Sequence, residues 1–177
     1  VQKVRLYDET APIYHRRYRL IQKVKYQAVT PFLRVGPLVD VGIGTGIGVP
    51  ALIDFSPVIG VDGAIEMLRF AVEQLKVVKQ KNQLVSFVCA LAEALPFRDS
   101  SVPTVVSITT IQNVTDIHKG LRELVRILQE DGILAVTSLA KILPLDTLKA
   151  SIDGKYSLIT QFRDLAGEDD GLVFQLA

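Results

Sequence analysis

What this chain lacks narrows its possibilities first. A single cysteine, Cys89, rules out an internal disulfide. The two histidines, His15 and His118, belong to no Cys/His cluster with metal-ligand spacing, so no metal site is expected. There is no tryptophan, and Met67 is the only methionine. No apolar run approaches the length that crosses a bilayer, and no secretory signal opens the sequence. A reducing, cytoplasmic setting is therefore expected. Cys89, inside the apolar run 85–90, reads as a buried structural thiol. Repeats and low-complexity tracts are absent too. The 177 residues, 49% hydrophobic, read as one domain with ample material for a core.

Net charge is only +1, but it is segregated. Residues 1–35 hold eight Lys and Arg against two acids, a surplus of six, and the rest of the chain is correspondingly acidic. The basic segment reads either as a solvated helix face or as attraction to an anionic partner. It also reads as helical and separate from the sheet. Leu20, Ile21, Val24, Ala28 and Phe32 form a helical stripe within 16–33. Asp8 or Thr10 is placed to cap a turn before Pro12, and Pro31 bends or ends the helix.

The stretch that organises the remainder is Pro37 to Ile47. Leu38-Val39 ends at Asp40, and glycines stand at 42, 44 and 46. Apolar residues entering a glycine cluster read as a buried strand running into a tight turn. Glycine there admits positive φ and lets a ligand approach the backbone. Ile47, Val49, Leu52 and Ile53 mark a short helix, 46–54, with Pro50 in its first turn. Such a turn leaves N–H groups free for negative charge. A second strand, 57–62, ends in Asp62, 22 positions after Asp40, where Rossmann-like folds place an acid for ribose hydroxyls.

Further strands are read at 85–90, 102–109 and 132–139, and helices at 64–80 and 116–129. Asp116 is a candidate N-cap for the latter, and Asp131-Gly132 closes it. This alternation means parallel strands with helices on both faces. After residue 140 the pattern changes to a weak helix, 145–152, then strands 156–165 and 172–176 around the Gly167–Gly171 loop, a hairpin signal.

Four ordered blocks carry a resemblance. They are Asp-Val-Gly-Ile-Gly-Thr-Gly from Asp40, Gly-Val-Asp-Gly-Ala-Ile-Glu-Met-Leu from Gly60, Ala-Glu-Ala-Leu-Pro-Phe from Ala92, and Thr110 to Asp116. Covering roughly 37–141, they resemble the class I S-adenosylmethionine-dependent methyltransferases. They are similar to the subgroup that contains the ubiquinone/menaquinone-biosynthesis C-methyltransferases. The resemblance implies an α/β, Rossmann-like three-layer sandwich. Its seven-stranded, mostly parallel sheet would end in a C-terminal antiparallel hairpin. S-Adenosyl-L-methionine would be the cofactor, and residues 1–35 a helical lid over the core 36–177.

It also implies roles. Gly42, Gly44, Thr45 and Gly46 would pass beneath the amino-acid and ribose portions of the cofactor. Asp40 would help hold its ammonium end, or serve as a structural carboxylate bonding backbone N–H groups. Asp62, followed by Gly63, would accept the ribose hydroxyls and could also cap the next helix. Met67 would pack on adenine or simply fill the core. Many relatives carry Asp at the position of Leu91, so adenine would here rely on stacking and on backbone near Ala92. Glu93 reads as a solvent-facing or helix-start acid. Thr109, Thr110, Gln112 and Asn113 come at or just after the end of the fourth strand, so they should face the methyl group. Tyr7, Tyr14, Tyr18 and Tyr26 would line the entrance or pack as ordinary amphipathic aromatics. His15 is a candidate base only if the lid closes; otherwise it is an exposed helical histidine. No catalytic residue is assigned.

The Asn-Pro-Pro-Tyr motif is absent, which argues against adenine-N6 or glutamine-amide methylation. The acceptor is expected to be a small molecule or RNA, anionic if the basic segment matters. A homodimer contact or a partner subunit is a candidate to complete the pocket. Two other readings share parts of the pattern: a non-catalytic S-adenosylmethionine-binding scaffold, and an NAD-dependent oxidoreductase. The terminal hairpin and the downstream blocks disfavour the latter.

Overall fold

The computed structural model describes residues 2–77, 84–152 and 154–177, except for the side chains of 2–9 and 77. Helix α1 (Gln2–Val29) precedes β1 (Leu38–Val41), α2 (Val49–Leu52), β2 (Val58–Asp62), α3 (Ile65–Val77) and β3 (Val85–Cys89). Then come β4 (Val102–Ser107), α4 (Ile117–Ile127), β5 (Leu128–Leu139), α5 (Leu145–Ala150), β6 (Tyr156–Leu165) and β7 (Asp169–Leu176). The strands form one sheet in the order β3-β2-β1-β4-β5-β7-β6. The first five run parallel, while β7 is antiparallel to both β5 and β6. This is the seven-stranded arrangement that the sequence led us to expect.

Burial follows from strand position. β1 lies centrally and every residue of it is buried, so it reads as an unbroken apolar run save for Asp40. Alternate residues feed two cores. Val39, Val41, Val105, Leu134 and Val136 pack against α4 and α5, whereas Leu38, Val58, Val106 and Ala135 pack against α1 and α2. Asp116 caps α4 as anticipated, accepting from Lys119 N–H at 2.9 Å. Pro50 falls in the first turn of α2.

Several expectations are corrected. α1 runs unbroken from Gln2 through Pro12, with no separate turn before the proline. α2 is shorter than 46–54: its four residues pass into a 3-10 turn, Ile53–Phe55. The part of the 64–80 helix beyond Val77 lies outside the described residues. β5 begins at Leu128, not at residue 132. Buried Leu128 pairs with Val102, and Asp131, at φ +60°, sits in a bulge rather than closing the helix. β7 begins at Asp169, so the carboxylates read as loop residues are buried strand residues. Asp170 accepts the N–H of Leu145 and so fixes the start of α5. Cys89 is exposed, because β3 is an edge strand with one flank uncovered; its Sγ lies 3.8 Å from the carbonyl of Gly63.

Candidate functional site

The C-terminal ends of β1 and β2 are adjacent, and the two turns that leave them are bonded to each other. Gly42 and Ile43 donate their N–H groups to the Val61 carbonyl at 2.7 and 3.1 Å. Gly44 N–H donates to Asp62 Oδ2 and Ala64 N–H to Asp62 Oδ1, both at 2.9 Å. Thus Asp62 joins the glycine turn to the start of α3. An ionised carboxylate accepts through both oxygens, and here each oxygen takes an N–H from a different turn.

These turns form one wall of a cavity of about 470 Å³, a size ordinary for small-molecule sites. Gly42, Gly44, Asp62 and Gly63 line it, with Met67, Leu91, Ala92 and Thr109. The glycines have separable reasons to be glycine. A Cβ on Gly42 would collide with the Thr110 side chain. Gly44, at φ +56°, has only the Gly42 carbonyl within 4.0 Å of its missing Cβ, so an open space lies above it.

Three of the expected residues lie behind the cavity wall. A Cβ on Gly46 would meet that of Ala71 at 3.1 Å, so this glycine lets the turn pack closely on α3. Thr45 is buried, with its Oγ1 3.0 Å from His15 Nδ1. Partial burial, and then Arg19, lower the pKa of His15. Its ring lies against Phe70, so it ties α1 to the glycine turn and does not line the cavity. Asp40 is completely buried. Tyr26 donates its hydroxyl to Asp40 Oδ2 at 2.8 Å, while Oδ1 has no partner. Burial drives the Asp40 pKa up to about 7; the Tyr26 hydrogen bond holds it back and nearby Asp62 adds to the rise. Burial, reinforced by Asp40, also pushes the Tyr26 phenol well above its ordinary value.

Of the other candidates, Tyr14, Thr110 and Asn113 line the cavity. Gln112 is buried, donating to the Thr109 carbonyl, with its Oε1 unpartnered. Tyr18 packs on Tyr14 rather than on the cavity, and the Tyr7 side chain lies outside the described set. Glu93 is not merely solvent-facing: it lines the cavity and accepts the Thr115 N–H at 2.7 Å. His118 is exposed on α4.

The feature that sequence reasoning missed is a buried ionic cluster on the far side of Thr109. Lys25, wholly buried, donates from Nζ to Thr109 Oγ1 at 3.0 Å, Glu168 Oε1 at 2.6 Å and Asp169 Oδ1 at 2.8 Å. Thr109 and Thr137 donate their hydroxyls to Asp169 Oδ2 at 2.7 and 2.6 Å. Thr109 sits at φ +54°, a left-handed conformation costly for a β-branched residue, and this bonding holds it there. A signal was present: Gln22, Lys25, Tyr26 and Val29 share one helical face at the spacing of a buried stripe.

Among the described residues, no group of three or more His, Cys, Asp and Glu is placed to hold a metal ion. No helix among the described residues is long and apolar enough to cross a membrane.

Comparison with known proteins adds the remaining findings. A methyltransferase domain family model matches residues 39–136. A demethylmenaquinone methyltransferase of Roseiflexus castenholzii is 32% identical over 109 residues, 60% of this chain and 44% of that protein. The ubiquinone/menaquinone biosynthesis C-methyltransferase UbiE of a Marinomonas species is 32% identical over 126 residues, 68% of this chain and 48% of that protein. The chain thus spans less than half the length of these relatives. A crystal structure of a SAM-dependent methyltransferase from Aquifex aeolicus superposes with a TM-score of 0.70 over 91% of this chain and 93% of that one. At 19% identity this likeness speaks for the fold alone.

Proposed function

The chain belongs to the methyltransferase domain family, whose cofactor is S-adenosylmethionine, and we propose that its cavity binds this cofactor and passes the methyl group to a small, uncharged acceptor. The observation that carries this reading is the pairing of Gly44 and Asp62 at the cavity wall. An open backbone approach at Gly44 and a carboxylate anchored beside it at the cavity wall suit a ribose with two hydroxyls.

The remaining residues fit the same ligand. Met67, Leu91 and Ala92 offer an apolar surface for adenine. The unpartnered Asp40 Oδ1 is an orphaned acceptor close behind the glycine turn, suited to a cationic ammonium reached through water. The bound cofactor supplies an electrophilic sulfonium methyl, open to in-line displacement by a nucleophilic atom. This chain's part is positioning and exclusion of water. Tyr14, Thr110, Asn113 and Val114 also line the cavity and would orient the acceptor.

Acceptor chemistry follows from charge. Among the described residues, the ionisable groups lining the cavity are Asp62, Glu93 and Tyr14, and none of the lining is Lys or Arg. This favours a neutral acceptor over an anionic one. The names of the two relatives point the same way, toward a ring carbon of a demethylated quinone. The test is calorimetric titration with S-adenosylmethionine and its demethylated product, followed by methyl transfer to a short-chain demethylmenaquinol analogue. No binding of either cofactor form at millimolar concentration would defeat the cofactor reading. Binding without transfer to the quinol, but with transfer to an anionic acceptor, would defeat the acceptor reading.

A further inference from the structure

Helix α1 buries Gln22, Lys25 and Tyr26 and exposes Ile13, Leu20 and Val24. The inward face carries Gln22, Lys25 and Tyr26, committed to Thr109, Asp169 and Asp40. The outward face carries Ile13, Leu20 and Val24, which are 56%, 70% and 48% exposed. These lie seven and four positions apart, on one line along the helix for about 16 Å. Turning the helix to cover them would withdraw Lys25 and Tyr26 from two buried carboxylates. The inner chemistry therefore forces the apolar ridge outward.

Cations flank the ridge. Arg16, Arg17 and Lys23 are all exposed, and none forms an ion pair with a described residue; Arg17 lies over the Tyr18 ring at 5.3 Å. Among the described residues the cavity lining contains no Lys or Arg, so Arg16, Arg17 and Lys23 do not serve a ligand inside it.

We propose that this face of α1 docks on an anionic lipid surface, with Ile13, Leu20 and Val24 entering the headgroup boundary and Arg16, Arg17 and Lys23 meeting lipid phosphates. An apolar ridge bordered by unpaired cations is the pattern of helices that lie in the membrane interface. A nucleic-acid partner would leave the ridge without a use, because a phosphate backbone gains nothing from aliphatic side chains and the ridge carries no aromatic for base stacking. A second copy docked ridge to ridge would set cation against cation. Tyr14, the neighbour of Ile13, lines the cavity, so docking brings the bilayer to the cavity rim, where an acceptor dissolved in lipid would arrive. The docking itself does not rest on the methyl-transfer reading.

The test is co-sedimentation of the full chain with two vesicle preparations, phosphatidylcholine alone and phosphatidylcholine with about 30% phosphatidylglycerol. Binding is expected to the anionic vesicles only, weakening with salt. The triple variant R16Q/R17Q/K23Q should lose about a hundredfold in partitioning, since each cation contributes about fivefold. L20D/V24D should lose about tenfold or more. Both variants should keep the wild-type circular dichroism spectrum and cofactor affinity, which shows that the fold is intact. Equal binding to both preparations overturns the proposal, as does no binding to either. So does wild-type binding by L20D/V24D, or a transfer RNA that binds better than the vesicles and is indifferent to L20D/V24D. Failure to bind cofactor would sink the functional reading and leave the vesicle result standing.

Discussion

Replacing Asp40 with asparagine should make the protein more resistant to unfolding at neutral pH while weakening its hold on the cofactor. Asp40 is fully buried with one oxygen bonded to Tyr26 and the other unpartnered, and its pKa stands at about 7 against 3.8 for an ordinary aspartate. Between those values the folded protein keeps a proton that the unfolded chain has released. Stability therefore falls as pH climbs from about 4 to 7 and levels off above, where both states are ionised. A shift of about three units at about 1.4 kcal/mol each sets a ceiling of about 4 kcal/mol on this loss. The substituted asparagine carries no charge to desolvate, and its carbonyl can still accept from Tyr26. Its amide N–H₂ is left facing the orphan position, a pH-independent cost of about 1–3 kcal/mol.

Urea unfolding of wild type and Asp40→Asn from pH 4 to 8.5 isolates the effect. The difference in unfolding free energy should move in the variant's favour by up to about 4 kcal/mol across that window and then stay flat. Cofactor binding should show the converse. Below pH 7 the wild-type Kd should rise by up to about tenfold per pH unit, because a cationic ammonium needs the ionised carboxylate. The variant should bind weakly with little pH dependence. Parallel stability curves for the two proteins would refute the account of Asp40.

Three further outcomes are expected. Lys25→Met leaves Asp169 buried with only two threonine hydroxyls; a cost of about 3 kcal/mol should lower Tm by about 6–12 °C in a thermal scan, and a shift within error would mean the cluster is not held as described. Asp62→Ala removes two charge-assisted acceptors and also frees Gly44 N–H, so calorimetry should read a loss of about a hundredfold or more in cofactor affinity. Leu91→Asp, at a half-exposed position on the cavity, should tighten cofactor binding by about tenfold to a hundredfold through the adenine amino group, with little change in Tm.

The parallel half of the sheet was legible because each of its strands is a local event: an apolar run, a glycine turn or an acid at a fixed distance. Asp40, Gly42, Gly44 and Asp62 stood out for the same reason, their partners lying within about two dozen residues. Helix α1 is the contrary case. Leu20 and Val24 read as its core stripe, but its polar face turns inward to Thr109 and Asp169, partners 84 and 144 positions away. The spacing of Gln22, Lys25, Tyr26 and Val29 marks a shared face, but it does not name the distant partners that face meets. Asp169 and Asp170 escape in the same way, for a Gly-Asp-rich segment between strands reads as solvent-facing until Lys25 and the start of α5 are seen to claim them. Cys89 was misplaced because an apolar run does not reveal that its strand lies at the sheet edge.

The bond between Lys25 and Asp169 also sets a timetable for biosynthesis. The two residues are 144 positions apart, and ribosomes add about 5–20 residues per second. The counter-charge for Lys25 thus emerges roughly 7–30 s after the helix that needs it. Until then α1 has no reason to desolvate its ammonium group, and the glycine turn waits for the roof that Tyr26 and His15 will bring down with it. Nascent chains halted before residue 169 should accordingly hold the central strands while this first helix stays open to protease.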